Sequence, residues 1–256
     1  GRREKFIVAT KCSGKMGAAP WQQGSSRKHV LGAIEASLKR LGTDYVDLYQ
    51  AHHFDANTPV DETVEAFDAV VKSGKARYIG VSNYQAYRVA RALGRGEALG
   101  LAKFVSVQPR YNLVFRQIER ELLPLCEEEG LAVIPYNPLA GGLLTGKHRR
   151  ATPPPEGSRF TLGTAGKMYT DRYWKEREFD TVEALAALAK EHGIAPATLA
   201  VAWVLSNPDV TAPIIGASKP GQLAASVAAA DCKLDPKRKE QLDRLTHEYR
   251  MGDAAR

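Results

Sequence analysis

Tyr45-Val46-Asp47-Leu48-Tyr49-Gln50-Ala51-His52 is the stretch on which the reading of the fold turns. It has the composition of a strand, and the two-residue repeat puts Val46, Leu48, Gln50 and His52 on one face. An amphipathic segment follows. Asp61 and Glu62 open a helix whose Val64, Phe67, Val70 and Val71 recur at helical spacing until Gly74 stops it. The same alternation extends both ways. Before it, residues 6–11 read as a strand, and Ser25 or Ser26 caps a helix that runs through Val30, Leu31, Ile34 and Leu38 to about Leu41. After it come a strand at 77–83, a helix to about 93, a strand at 104–108, a helix at 118–129 and a strand at 131–136. A long irregular stretch, 141–180, carries Pro153-Pro154-Pro155. Helices at 181–192 and 196–206, a strand at 212–216, a helix at 219–230 and a charged surface helix at 236–249 complete the chain.

Strands alternating with helices imply a parallel sheet, either open and doubly wound or closed as a (β/α)8 barrel. Six strands are legible. One βα unit of a barrel takes about 31 residues, so two further units are about 60, a shortfall in total length that the long 141–180 excursion goes toward filling. The expectation is therefore an α/β fold, a parallel (β/α)8 TIM barrel incomplete at its N-terminus, forming a single domain over residues 1–256 with a long loop at about 141–180. The opening Gly1-Arg2-Arg3, without a Met, reads as a processing product or a truncation.

Composition narrows the function. The 256 residues are 44% hydrophobic and 25% charged, a globular composition, and no apolar run approaches the eighteen or so residues of a membrane span. No signal peptide is evident, and Cys12, Cys126 and Cys232 form no CxxC pair. They read as reduced thiols of a cytoplasmic protein. The net charge of +7 comes from scattered basic residues, whereas nucleic-acid readers concentrate them on one face. Nucleic acid and membrane are set aside as partners, and a phosphorylated small molecule suits the charge better.

The strands end on Lys11, His52, Asn83 after Ser82, Gln108, Tyr136 and Gly216-Ala217-Ser218. Barrel enzymes build their sites from such carboxyl ends. Two phosphate-binding signatures are decoys. Gly141-Gly142-Leu143-Leu144-Thr145-Gly146-Lys147 satisfies GxxxxGK, but His148 stands where a P-loop needs Ser or Thr, and prolines follow instead of a helix. Gly94-x-Gly96-x-x-x-Gly100 has the wrong spacing for a dinucleotide fingerprint and follows a helix. Ile214-Ile215-Gly216-Ala217-Ser218-Lys219-Pro220 is better formed, a strand passing through Gly-x-Ser into a helix. Simple strand termination and helix capping account for it equally well.

Together Ala9-Thr10-Lys11, Asp47-Leu48-Tyr49-Gln50-Ala51-His52, Gly80-Val81-Ser82-Asn83-Tyr84, Val107-Gln108-Pro109-x-Tyr111-Asn112, Ile134-Pro135-Tyr136-Asn137-Pro138-Leu139-Ala140 and Ile215-Gly216-Ala217-Ser218-Lys219 resemble the aldo-keto reductase family, in its bacterial and channel-subunit-like branch. The resemblance implies NADP(H) as cofactor and hydride transfer to a small-molecule carbonyl, or back from an alcohol. In that family a Tyr delivers the proton, a Lys paired with an Asp lowers that Tyr's pKa, and a His orients the carbonyl. Lys11 and His52 match the Lys and the His, while His53 faces the other side of its strand. By the same carry-over Ser82, Asn83 and Gln108 hold the carboxamide, and Tyr136 stacks on the nicotinamide. Asn137, Leu139, Gly141 and Lys147 line the pyrophosphate; Gly216, Ser218, Lys219 and Gln222 meet the adenosine ribose and its 2′-phosphate. No metal site is implied. Two departures stand out. Ala225-Ser226 replaces a Glu-Asn pair at the adenine, and the family's Asp and Tyr lie on two βα units ahead of this sequence. The second departure leaves an alternative open, an NADPH-binding regulatory or catalytically impaired protein. Arg159, Phe160, Tyr169, Arg172, Tyr173 and Trp174 could form a lid within the long loop, and none is assigned to substrate.

Overall fold

A computed structural model describes residues 2–252. In chain order the elements are β1 (Ala9–Cys12), α1 (Arg27–Leu41), β2 (Val46–Ala51), α2 (Val60–Lys72), β3 (Ala76–Ser82), α3 (Ala86–Ala98), β4 (Phe104–Gln108), α4 (Leu122–Glu129) and β5 (Ala132–Val133). They are followed by α5 (Gly163–Tyr173), α6 (Glu176–Glu191), α7 (Pro196–Leu205), α8 (Ala224–Val227) and α9 (Pro236–Leu245), with short 3₁₀ turns between. The chain divides into two compact units. One runs up to Pro109 and includes Pro124–Val133; the other comprises Arg110–Leu123 and everything from Ile134 onward.

The first unit is the strand-helix alternation made physical. Its five strands pair in sequence order, all parallel. Local signals place the helices. The Ser26 side chain accepts from the His29 N–H to cap α1, and Gly42, at φ 64°, ends it with its N–H on the Leu38 carbonyl. Helix α2 carries Asp61 and Glu62 in its first turn, where the helix dipole favours them. Val30 and Ile34 of α1, Val64, Phe67 and Val70 of α2, and Val46, Tyr49, Ile79, Val81 and Phe104 of the sheet are all buried. Phe67 packs between Tyr49 and Phe104 at 5.4 and 5.5 Å between ring centroids, and the Tyr49 hydroxyl donates to the Val30 carbonyl at 3.1 Å.

Register fixes the other face. Lys11 pairs with Gln50, Gln50 with Gly80, and Gly80 with Ser106, so these side chains stand in one row across four strands. Helix α3 continues through Gly94 and Gly96 to Ala98, past the expected stop at about 93. Val89, Ala92 and Leu93 of this helix are buried, and that burial outweighs the weak helix propensity of glycine.

In the second unit a core of Tyr111, Leu143, Leu144, Phe179, Leu185, Leu199, Trp203 and Tyr249 is closed by a buried guanidinium. Arg116 forks onto Glu119 at 2.7 and 2.9 Å, and donates to the Asp243 carbonyl and the Thr246 hydroxyl. Three expectations are corrected here. Residues 212–216 form no strand: Ile214 makes a single parallel bridge to Tyr136, its N–H on the Pro135 carbonyl at 2.8 Å. Pro135 and Pro213 lack the N–H groups a longer ladder needs. The 141–180 stretch is not irregular throughout, since it contains α5 and the start of α6. The helix expected over 219–230 is broken into a 3₁₀ turn at Pro220–Gln222, α8 and a second 3₁₀ turn at Ala228–Ala230. No helix among the described residues is long and apolar enough to cross a membrane.

The row across the sheet makes Gly80 a sensitive position. A Cβ there would lie 2.3 Å from the Ser106 Oγ and 3.0 Å from the Ser106 carbonyl oxygen. Gly80→Ala is expected to destabilise the fold by about 1–3 kcal/mol, read as a lower urea midpoint, whereas the control Gly94→Ala, which meets open space within α3, is expected to stabilise it by up to about 1 kcal/mol.

Candidate functional site

The expected site positions fall in both units. In the first, they gather at the carboxyl ends of the strands. Lys11 is the penultimate residue of β1, and His52 follows β2 with its N–H on the Cys12 carbonyl at 3.3 Å. The Asn83 Nδ2 donates to the His52 carbonyl at 2.9 Å and to the Ser82 Oγ at 3.0 Å, and the Asn83 N–H reaches the Gln108 carbonyl. The Ser82 hydroxyl donates to that same carbonyl at 2.7 Å. Asn83 adopts φ 57°, in the left-handed region that Asn tolerates better than most residues. His52, Ser82, Asn83 and Gln108 are thus tied into one network spanning three strand ends.

Lys11 stands beside that network, half-buried, and makes no ion pair among the described residues. Burial without a counter-charge pulls its ammonium below the usual lysine range. The His52 imidazole is pushed down as well, first by desolvation and then by the positive charge of Lys11. Both His52 and its neighbour His53 keep exposed surface. A residue that sequence reasoning did not assign joins them. Gln50 is fully buried, its Oε1 accepts from the Gln108 Nε2 at 3.5 Å, and its own Nε2 is unpartnered. The signal was available in the period-two alternation that put Gln50 on the His52 face.

In the second unit the chain after β5 turns through Asn137 at φ 65°, Ala140 at 49°, Gly141 at 72° and Gly142 at 101°. Asn137 anchors the turn, its Oδ1 accepting from the Gly141 N–H at 2.7 Å and its Nδ2 donating to the Tyr173 hydroxyl at 2.9 Å. A Cβ at Gly141 would strike the Tyr169 ring at 2.7 Å, so the site needs glycine for space as well as for conformation. Leu139 packs against the core of this unit. The Tyr136 phenol is raised by burial, while Arg172 and Arg110 oppose the shift.

The bridge from Tyr136 to Ile214 sets the Gly216 segment beside the start of this loop. Gly216, Ser218, Lys219 and Gln222 are exposed, and Ser218 and Gln222 close on each other. The Gln222 Oε1 accepts from the Ser218 N–H at 2.9 Å and from its hydroxyl at 3.2 Å. Lys219 is left facing solvent. Ala225 and Ser226 are structural in this unit: the Ala225 carbonyl accepts from the Thr198 hydroxyl at 2.7 Å, and Ser226 is buried. The expected lid residues are mostly packed rather than open, with Phe160 and Tyr173 buried in the core.

Whether a dinucleotide suits these residues is tested by the space at Gly142. A Cβ built there would lie 3.6 Å from the Lys147 Nζ, so the missing side chain leaves room beside an ammonium with no ion pair among the described residues. An anionic group fits that chemistry. Among the described residues no cluster of His, Cys, Asp and Glu could hold a metal ion.

The comparison with known proteins matches the chain to one family. The model of the aldo/keto reductase family matches residues 1–247. The chain belongs to the aldo/keto reductase family. Among its relatives, a probable voltage-gated potassium channel subunit beta of Arabidopsis thaliana is 38% identical over 231 residues, 90% of this chain and 70% of the relative. The uncharacterized oxidoreductase YrpG of Bacillus subtilis is 39% identical over 238 residues, covering 91% and 70%. An L-glyceraldehyde 3-phosphate reductase of Escherichia coli is 34% identical over 229 residues, covering 89% and 65%.

One titratable group next to the glycine turn has a consequence for stability. Burial, with Lys147 adding to it, pulls the His148 imidazole down to about 4. Its folded pKa lies below the value near ~6.5 expected when unfolded, so the unfolded chain binds the extra proton between those values. The stability this neutral burial preserves is full above about pH 6.5 and is lost as pH falls toward 4. Urea unfolding of His148→Phe between pH 7 and 4.5 is expected to show a shallower loss than the parent chain.

Proposed function

We propose that this protein reduces the carbonyl group of a small aldehyde or ketone to an alcohol with NADPH, working from the carboxyl ends of consecutive strands of a (β/α)8 barrel. The observation that carries the reading is the pairing of Lys11 and His52 at adjacent strand ends, near enough for the lysine charge to depress the imidazole. NADPH, when bound, supplies the hydride that reaches the carbonyl carbon. His52 would donate a hydrogen bond to the carbonyl oxygen, where negative charge develops, Lys11 would place a cation beside the same oxygen, and water would deliver the proton that completes the alcohol. Ser82, Asn83 and Gln108 orient the carboxamide, with Gln50 holding the Gln108 amide in position. Tyr136 offers a ring face to the nicotinamide, and Asn137, Leu139, Gly141 and Lys147 hold the diphosphate. Gly216, Ser218, Lys219 and Gln222 meet the adenosine ribose and its 2′-phosphate, which makes NADPH the preferred form. The name of the Escherichia coli relative supports an aldehyde as the substrate class.

A second reading rests on Lys11 itself. No carboxylate pairs with it among the described residues, and its pKa is lowered accordingly. A lysine that gives up its proton stabilises a developing oxyanion less well. The chain then binds NADPH as a regulatory or slow partner without efficient turnover. Single-turnover oxidation of bound NADPH by 4-nitrobenzaldehyde separates the two readings. Rapid loss of NADPH absorbance supports the reductase, and saturable binding without it supports the second.

Two sets of substitutions test the assignments. Lys219→Ala or Gln222→Ala is expected to weaken NADPH binding about tenfold, the cost of one hydrogen bond to a charged group, measured by fluorescence titration. Lys11→Met and His52→Ala should leave that affinity within about twofold while slowing the single turnover by about a hundredfold, as the loss of oxyanion contacts does elsewhere.

A further inference from the structure

Arg88 is held in place without a counter-charge. It lies in the first turn of α3, the end at which the helix dipole disfavours a cation, and that turn contains no Asp or Glu. Its guanidinium carbon sits 3.8 Å from the centre of the Phe54 ring, and its Nε donates to the Tyr87 hydroxyl at 2.8 Å. Phe54 in turn meets the buried Tyr84 ring edge-on at 5.4 Å. These contacts fix the guanidinium on one face and at one nitrogen. Its two terminal nitrogens, the fork that suits a carboxylate or a phosphate, have no hydrogen-bond partner among the described residues and stay open to solvent. The carboxylate of the neighbouring loop is occupied: Asp55 accepts from the N–H groups of Ser25 and Asn57 and from the Thr58 hydroxyl. Two turns along the same helix, Arg95 is satisfied internally, with two of its nitrogens on Asp61 at 2.7 Å.

The fork stands beside the strand ends that carry the proposed chemistry. Phe54 lies two residues past His52, and Tyr84 directly follows Asn83, whose side chain reaches the His52 carbonyl at 2.9 Å. We propose that Arg88 selects carbonyl substrates that carry an oxyanion, a carboxylate or a phosphate, at the end remote from the reacting carbonyl. The inference rests on the reading that His52 meets the carbonyl oxygen. Because the Phe54 ring and the Tyr87 hydroxyl already hold the guanidinium, little side-chain freedom is lost when the oxyanion binds. The oxyanion takes no part in hydride transfer, so its attraction to Arg88 is equal in the ground and transition states. Arg88 is therefore a specificity residue that acts on KM more than on kcat.

The test is steady-state reduction by the full chain, with NADPH, of 4-carboxybenzaldehyde, 4-formylphenyl phosphate and the neutral methyl 4-formylbenzoate. Intrinsic reactivity differs among these aldehydes equally in every variant, so the quantity read is the change in their kcat/KM ratios from parent to variant. Arg88→Met keeps an apolar side chain over Phe54. It is expected to lower kcat/KM about tenfold for an anionic aldehyde, chiefly through KM, and by less than about twofold for the ester, the cost of one charge-assisted hydrogen bond. A loss confined to the carboxylate or to the phosphate shows which oxyanion the fork takes. Arg88→Lys retains the charge without the fork and should recover part of the loss. Salt at about 0.5 M should lower the parent's preference for the anionic aldehyde and leave the ratio of Arg88→Met unchanged. If the parent reduces the ester and Arg88→Met leaves all the ratios as they were, whether the three rates hold or fall together, the inference is overturned and the reductase reading stands. If the parent reduces none of the three aldehydes, the reductase reading falls and this inference with it.

Discussion

The sheet of the first unit depends on one missing side chain. Parallel register brings Gln50, Gly80 and Ser106 to the same level on neighbouring strands, and the space between Gln50 and Ser106 is already filled. A Cβ at position 80 would stand 2.3 Å from the serine hydroxyl and 3.4 Å from the Gln50 Cγ. With glycine there, the strands keep the register that ranks Lys11 beside Gln50 and Ser82 beside Gln108. The network from Ser82 and Asn83 to His52 and Gln108 follows from that ranking, because hydrogen bonds of 2.7–3.0 Å tolerate no slip of a residue.

The second unit solves a different problem, holding a tight turn in left-handed backbone. Four residues between Asn137 and Gly142 have positive φ, and two of them, Asn137 and Ala140, are not glycine. Such geometry persists only where the surroundings enforce it. Here the enforcement is local and polar. Asn137 receives the Gly141 N–H, and its amide, together with that of Asn112, reaches the Tyr173 hydroxyl. Tyr173 is buried at the end of α5, so a helix within the long excursion supports the turn that precedes it. The aromatic residues of that excursion are scaffold for the loop, with Phe160 and Trp174 walling in His148 on one side.

Charge is distributed in keeping with this division. The cations that pair with carboxylates, such as Arg95 with Asp61 and Arg150 with Glu176, serve the surface. Lys11, Lys147 and Lys219, the cations at the expected site positions, make no ion pair among the described residues. Desolvation without a partner costs stability at Lys11 in particular.

Much of this was legible in the sequence, where local chemistry decides local structure. Ser26 before α1 and Gly42 after it mark a helix whatever surrounds them, and the two-residue repeat of residues 45–52 puts Gln50 and His52 on one face. The order of polar strand ends, with the motifs around them, also carried the family. What depended on pairing or packing was hidden. The strand expected at 212–216 shrank to one bridge because Pro135 and Pro213 offer no N–H, a fact that matters only once the two segments meet. Helix α5 lay unnoticed because its residues carry weak periodicity and are held by Phe160 and Tyr173 packing elsewhere. Gln50 became a functional candidate through burial and an unpartnered amide nitrogen, properties that belong to the three-dimensional surroundings. The sequence by itself determined the alternating α/β fold, the family and the residues offered at the strand ends; the tertiary structure alone decided which of them share a network and which polar atoms are left without a partner, because only folding sets the distances on which hydrogen bonds and desolvation depend.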